Sequence, residues 1–229
     1  MTSAAVGFIR HPAFSRTLPF AVFIAFIAAA SPLERLAGAI GVDARWWYAV
    51  RTLLSAGLLV WFWRTYTELR SVAGVRLLDW VLAGIVGVAV FVLWINLAFE
   101  PLTFGRSPGF DPRNDGAIDW ALVATRLAGA VVLVPVIEEL FWRSLVMRWI
   151  QAPDFLAVEP VRVGVKALVI SAVLFGAEHH LWFAGVLAGL AYGWIYIRTG
   201  NLWTAIASHA VTNGLLGGWV LYTQTWEFW

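Results

Sequence analysis

The chain has 229 residues, of which 61% are hydrophobic and 13% are charged, and its mean hydropathy is +0.76. An average soluble domain carries roughly twice that share of charged residues, so the composition excludes a water-soluble globule. The absence of cysteine excludes disulfides, thiolate metal sites and cysteine nucleophiles. The net charge of +2 comes from 15 arginines and one lysine without a basic run, which argues against a nucleic-acid partner.

Apolar runs with few charges predict the membrane helices, because a span needs about 20 mostly apolar residues. Such runs cover residues 17–33, 46–63, 80–99, 117–150, 167–177, 181–197 and 202–225. At ~1.5 Å per residue the fourth run is longer than the hydrocarbon is thick, so part of it must tilt or leave the membrane. The pattern predicts an all-α bundle of about seven to eight transmembrane helices, forming one integral membrane domain over residues 1–229.

The distribution of basic residues predicts the orientation of the chain, because cytoplasmic loops carry more of them. A cytoplasmic N-terminus groups Arg10, Arg16, Arg64, Arg70, Arg76, Arg148, Arg162, Lys166 and Arg198 inside, against Arg35, Arg45, Arg106 and Arg113 outside. The first run ends in three alanines, at 28–30, so a cleaved signal peptide is the alternative for that segment. The loop 100–119, rich in proline, glycine and aspartate, would face outward, and its function stays open.

Ionisable residues inside apolar runs are the functional candidates, because a charge in lipid needs a partner or a water-filled cavity. Glu139 and Arg143 are four residues apart, in the order that favours an ion pair on one helix face. Glu138 points about 100° away and has no local cation, which makes it a candidate general base. The alternative is that both glutamates are solvated at a cytoplasmic helix end. Pro135 is expected to loosen or kink this helix, since it lacks a backbone donor.

Two later runs carry further polar pairs at helical spacing. Phe175 and His179 share one face at the end of the fifth run, and Glu178 beside them is ambiguous. His209 and Asn213 lie deep in the last run, where lipid offers no hydrogen-bond partner. These two side chains can donate hydrogen bonds to an oxyanion, or they can join helices to one another.

Other patterns indicate packing rather than chemistry. Gly185, Gly189 and Gly193 recur every four residues, so they share a helix face that permits close approach of a neighbouring helix. Arg51 and Arg126 are expected to pair within the bundle or to extend towards the interface.

The three polar motifs, in this order on three apolar helices, resemble those of the CAAX protease and bacteriocin-processing family. The similarity covers roughly residues 120–218 and includes the segment 198–203, which leads into the third motif helix as in many members. Family members are polytopic, glutamate-dependent intramembrane endopeptidases, and the eukaryotic Ras-converting type removes the last three residues of prenylated proteins. The resemblance therefore implies a protease with a catalytic core over residues 117–218.

Residue roles follow from this resemblance. It implies that Glu138 and His179 activate a water, that His209 and Asn213 form the oxyanion site, and that Glu139, Arg143 and Phe175 support them. It implies a membrane-associated protein or peptide substrate and no cofactor. The excess of arginine over lysine indicates a GC-rich bacterial source, so we expect the bacterial plasma membrane as the location and do not expect a prenylated substrate.

Three alternatives stay open. A divalent metal such as zinc could be bound by Glu138, His179 and His209, although the sequence has no His-Glu-x-x-His helix. Intramembrane glutamate and histidine could instead form a proton relay in a transporter or channel. A non-catalytic protein could use the same fold to bind a peptide.

The predicted spans place the motif residues at different depths. At ~1.5 Å per residue, the run 181–197 would separate His179 from His209 by more than about 10 Å. We expect short or tilted helices, a hairpin near Leu181 inside the membrane, or a longer fourth span that brings Glu138 to mid-depth.

Overall fold

The computed structural model describes residues 11–105, 107 and 109–229. Arg10 and Arg106, two of the residues used above to predict orientation, lie outside this range. Within it the chain forms eight helices: α1 (Pro12–Ala28), α2 (Ala30–Ile40), α3 (Trp47–Trp61), α4 (Leu77–Asn96), α5 (Trp120–Gln151), α6 (Val165–Ala177), α7 (Trp182–Thr199) and α8 (Leu202–Thr223). A hairpin of two short antiparallel strands, β1 (Arg113–Asn114) and β2 (Ala117–Ile118), precedes α5. The all-α class predicted from sequence is confirmed.

Two of these helices, α4 and α5, are long and apolar enough to cross a membrane. The pair α1 and α2 would make a third span if counted as one, but it is bent by 69° at its break. The run 17–33 is therefore not one straight helix, since the chain turns at Ala29. Helix α6 is apolar but has only 13 residues. These spans identify an integral membrane protein.

The chain divides into two compact units. The first unit contains Met1–Thr67 and Pro112–Ile137, and the second contains Glu68–Asp111 and Glu138–Trp229. The division falls within α5, just before the first motif.

In the first unit, both intramembrane arginines contact aromatic rings. The Arg51 guanidinium lies 4.5 Å from the Phe23 ring and 4.6 Å from the Tyr48 ring. The Arg126 guanidinium lies 4.4 Å from the Tyr48 ring. Cation–π contacts of this kind partly compensate a half-buried charge for lost hydration. The expected pairing of these arginines is confirmed, with aromatic rings as the partners.

The loop after α2 is fixed by polar contacts outside the helices. Asp43 accepts hydrogen bonds from the backbone and side chain of Arg45, which lower the pKa of that carboxyl. Arg45 also donates to the backbone carbonyl of Arg113 at 2.9 Å and to the side chain of Asn114. The hairpin before α5 is thereby attached to the first unit.

In the second unit, α6 and α7 pack at backbone contact. A Cβ atom at Gly185 would lie 2.9 Å from the Cα of Gly176, and one at Gly189 would lie 2.8 Å from the Cα of Ala172. A Cβ at Gly193 would come within 2.4 Å of Leu168. The close approach predicted from the glycine spacing is confirmed.

Helices α4 and α8 also meet closely. A Cβ at Gly87 would lie 2.5 Å from the backbone oxygen of Ser208. The hydroxyl of Ser208 donates to the carbonyl of Ala83 at 2.8 Å, and the hydroxyl of Thr212 donates to the carbonyl of Gly87 at 2.8 Å. Interhelical hydrogen bonds of this type are a usual way for apolar helices to associate.

Helix α5 is locally widened in two places. Residues Gly129–Leu133 and Leu140–Met147 form π-helical turns, and the amide of Val134 bonds to the carbonyl of Gly129 five residues earlier. Because Pro135 has no backbone donor, the helix cannot keep its normal ladder there, and the predicted loosening is confirmed. Glu138 lies near the middle of this helix of 32 residues.

Candidate active site

The second unit contains a buried cluster of charged residues centred on Glu139. One carboxylate oxygen of Glu139 lies 3.1 Å from Nε of Arg143, and the other lies 2.9 Å from Nδ1 of His209. The ion pair predicted from the spacing is confirmed. The alternative of two solvated glutamates is wrong, because the exposed fractions of Glu138 and Glu139 are 7% and 0%.

Phe175 lies at the centre of the motif residues. The Arg143 guanidinium lies 4.3 Å from its ring, and the ring centroids of His179 and His209 lie 4.6 and 6.3 Å from it. Trp142 packs edge-on against the same ring at 6.1 Å. Phe175 is fully buried, so its ring sets the spacing between the two imidazoles.

Glu138 points to a different set of partners. One ligand atom from each of Glu138, Glu178 and His179 lies within 4.8 Å of the other two. Oε2 of Glu138 is buried and has no hydrogen-bond partner among the described residues, whereas Glu178 accepts a hydrogen bond from the Trp142 indole at 2.9 Å. The side chains of His179 and Glu178 are 21% and 20% exposed, so Glu138 borders a partly exposed part of the second unit on this side.

The orientation of His179 is fixed by two contacts. Its Nδ1 lies 2.7 Å from the backbone carbonyl of Phe175, and its ring packs edge-on against Trp94 at 5.4 Å. Because a carbonyl only accepts, Nδ1 must carry the hydrogen, and Nε2 of the neutral ring is left as an acceptor.

His209 is supported by residues that lie outside the three sequence motifs. The ring of Tyr192 stacks on the imidazole at 4.9 Å with an angle of 16° between planes. The Tyr192 hydroxyl donates to Thr212 at 2.7 Å, and Thr212 donates in turn to the carbonyl of Gly87. In the sequence, Tyr192 is one aromatic residue among many, and only its place between the packing glycines could have singled it out.

Asn213 and Glu178 lie close to these residues in the chain. Asn213 lies one turn after His209 on α8 and is half-buried. Glu178, ambiguous in sequence, joins Glu138 and His179. Since His209 bonds to Glu139 instead, the set of residues that could hold a metal contains Glu178 and not His209. Two carboxylates and an imidazole are ligands that zinc accepts, so the residues present fit such an ion.

His179 and His209 lie close together, although the predicted spans placed them at different depths. His179 and His209 both contact the ring of Phe175, although the helix α7 lies between them in sequence. Helix α6 is short, and the length of α5 brings Glu138 to its middle. The 13 residues of α6 agree with the short helix expected as one solution, while the hairpin inside the membrane and the longer fourth span stay predictions.

The same residues fall within a match to a known protein family. Residues 120–215 match the family model described as type II CAAX prenyl endopeptidase Rce1-like. This segment is an Rce1-like CAAX endopeptidase domain. The family resemblance seen in the sequence is thereby confirmed, and the Rce1-like domain is that of a peptide hydrolase. Comparisons with curated proteins and with solved structures gave no match.

The match covers all seven residues that were predicted to form the site. Glu139, Arg143, Phe175 and His209 form one contact network, while Glu138 and His179 lie together on the side where His179 is partly exposed. Glu138, with partly exposed His179 beside it, and the buried network around Glu139 therefore lie in one part of the second unit.

Proposed function

We propose that the Rce1-like domain is an intramembrane endopeptidase that hydrolyses a peptide bond of a membrane-associated protein or peptide. The observation that carries the proposal is the buried carboxylate of Glu138, which lies beside His179 and whose Oε2 has no hydrogen-bond partner within the described part of the chain. A buried acceptor without a donor is costly, and a water molecule can supply the missing hydrogen bond. Nε2 of neutral His179 can accept the second hydrogen of that water.

Hydrolysis then follows by general base catalysis. Glu138 takes a proton from the water while the water oxygen attacks the carbonyl carbon of the substrate. When the tetrahedral intermediate collapses, the protonated Glu138 returns this proton to the nitrogen of the leaving amine. The water is divided between the two products, and the enzyme returns to its starting state.

His209 and Asn213 are the proposed oxyanion donors. Nδ1 of His209 faces the carboxylate of Glu139, so Nδ1 carries a hydrogen. Nε2 of the doubly protonated ring is the atom that would donate to an oxyanion. The amide of Asn213, one helical turn further along the same face, supplies the second donor.

A second candidate is a metal-dependent peptidase that uses Glu138 and His179 together with Glu178. The cluster of Glu138, Glu178 and His179 favours it, since three protein ligands leave a fourth position of zinc open. A bound divalent ion would supply a Lewis acid and an acidified water. We place this second because the resemblance to glutamate-dependent proteases implies catalysis without a cofactor.

The experiment is cleavage of quenched-fluorescence membrane peptides by the full chain purified in lipid nanodiscs. We expect cleavage by the wild type and a loss of roughly 10²- to 10⁴-fold in the Glu138→Gln variant. Glu159→Gln, which removes an exposed carboxylate in a surface ion pair with Arg162, is the matched control and should cleave normally. Equal activity of both variants would disprove the proposed base. No cleavage by any form would favour a transporter or a binding protein.

We further propose seven to eight membrane helices, a cytoplasmic N-terminus and insertion in a bacterial plasma membrane. The asymmetric distribution of arginine supports this orientation. Because the chain has no cysteine, single cysteines can be introduced without background labelling. A membrane-impermeant maleimide should label Arg35→Cys in intact cells, and should label Arg162→Cys only after lysis. The reverse pattern would contradict the orientation.

A further inference from the structure

A cavity of about 510 Å³ lies in the second unit beside the segment that follows α4. Its lining includes Phe99, Glu100, His180, Leu181, Glu227 and Phe228. It therefore joins the loop whose function the sequence left open to the start of α7 and the C-terminal segment. We name it the Glu100–Glu227 pocket.

The loop that forms this pocket is fixed against the residues that follow His179. The amide of Phe104 donates to the carbonyl of His180 at 2.8 Å, and Nδ1 of His180 donates to the carbonyl of Phe104 at 2.6 Å. The Trp182 indole donates to the carbonyl of Pro101 at 3.1 Å, and its ring stacks on Phe104. The pocket thus begins at the residue next to His179.

The lining combines apolar surface with two acids. Phe99, Leu181 and Phe228 supply apolar surface, while Glu100 and Glu227 are exposed carboxylates. Neither carboxylate makes an ion pair or hydrogen bond to another described residue. A cationic group bound here would interact with both carboxylates without displacing a partner among the described residues.

We infer that the Glu100–Glu227 pocket binds the side chain of a lysine or arginine of the peptide substrate, close to the scissile bond. This rests on the proposed endopeptidase function. The aliphatic stem of such a side chain suits the apolar lining, and its charged head suits the two carboxylates. An extended peptide advances by about 3.3–3.6 Å per residue. When its scissile bond lies at Glu138 and His179, the peptide residues next to that bond can therefore reach the pocket.

The test compares peptides that differ only in charge. A quenched-fluorescence apolar peptide carries arginine at one of several positions flanking the scissile bond, or citrulline as its neutral isostere. The full chain in nanodiscs should cleave the best arginine peptide about three- to tenfold faster than its citrulline partner, the effect expected of two exposed ion pairs. In Glu100→Gln/Glu227→Gln this ratio should fall to near one, and Glu227→Lys should favour a glutamate-containing peptide.

Glu34→Gln is the matched control, because Glu34 is exposed and does not line the pocket. It should keep the wild-type ratio. The same ratio in the double glutamine variant would overturn the inference. Binding of a phosphatidylethanolamine headgroup that depends on these glutamates, without any effect on peptides, would assign the pocket to a lipid amine and would also overturn it.

A binding measurement tests the pocket independently of the proposed catalytic mechanism. Fluorescence anisotropy with the arginine and citrulline peptides is measured on the wild type and on Glu138→Gln, where cleavage is not required. If no form cleaves peptide but arginine-selective binding is lost in Glu100→Gln/Glu227→Gln, the proposed function fails and the pocket stands. If cleavage occurs and neither cleavage nor binding depends on charge, the pocket assignment fails alone.

Discussion

Nδ1 of His209 lies 2.9 Å from Oε1 of Glu139, although 70 residues separate them in the chain. Both side chains are buried, and the opposite oxygen of Glu139 contacts Arg143. The carboxylate is therefore the shared partner of two buried basic groups, and it connects α5 to α8 within the second unit.

The shared carboxylate makes the stability of this network interdependent. Glu139→Leu leaves Arg143 buried without an anion and should destabilise the fold by about 3–5 kcal/mol, measured by thermal unfolding in detergent. Glu139→Leu/Arg143→Met removes both charges and should recover much of that loss. Additive losses in the double variant would show that the two residues do not act as a pair.

Tyr192 is expected to position His209 rather than to contact substrate. Tyr192→Phe keeps the stacked ring and should retain most activity, whereas Tyr192→Leu loses the stack. We expect Tyr192→Leu to lower kcat by roughly tenfold to a hundredfold with little change in KM, because the donor is misplaced. Tyr222→Leu, at the exposed end of α8, should leave both constants unchanged. A change in KM alone for Tyr192→Leu would argue for substrate contact.

Asn213 gives a direct test of the oxyanion site. Asn213→Ala removes one donor and should lower kcat by roughly 10²- to 10³-fold without unfolding the chain. Asn213→Asp should be at least as impaired, since it introduces an acceptor and a possible charge where negative charge develops. The kcat of both variants is measured with the peptide cleavage assay. A near-normal kcat in Asn213→Ala would show that this residue is not an oxyanion donor.

Glu178 distinguishes the two chemistries. In the glutamate-dependent mechanism Glu178→Gln keeps an oxygen that can accept from Trp142, so its loss should stay well below the roughly 10²- to 10⁴-fold expected for the general base. A chelator should then have no effect on cleavage. Loss of activity in Glu178→Gln, together with chelator sensitivity and zinc in the purified protein by mass spectrometry, would favour the metal-dependent candidate.

Gly189 tests the packing of α6 against α7. A Cβ there would lie 2.8 Å from the Cα of Ala172, so Gly189→Ala should destabilise the chain by about 1–3 kcal/mol in thermal unfolding. Gly218→Ala on α8 is the control, because outside its own stretch of helix no atom of the described residues lies within 4 Å of the added Cβ. Since alanine favours a helix over glycine by about 1 kcal/mol, this control should be neutral or slightly stabilising. An equal loss in both would refute the packing argument.

The sequence by itself determined the features that depend on neighbours along one helix. The ion pair of Glu139 and Arg143 and the shared face of Gly185 and Gly189 follow from 3.6 residues per turn, whatever the helix packs against. The loosening at Pro135 follows from its missing donor. Composition likewise required an apolar environment for most of the chain.

Only the tertiary structure decided how distant residues meet. Glu178 beside Glu138, Tyr192 stacked on His209, and the pocket between the segment after α4 and the C-terminal segment depend on the paths of separate helices. Apolar runs determine these paths poorly, because many arrangements of apolar helices bury similar surfaces. Helix boundaries predicted from sequence are also uncertain by several residues. Close glycine contacts and interhelical hydrogen bonds select one arrangement, and this arrangement brings both imidazoles to Phe175.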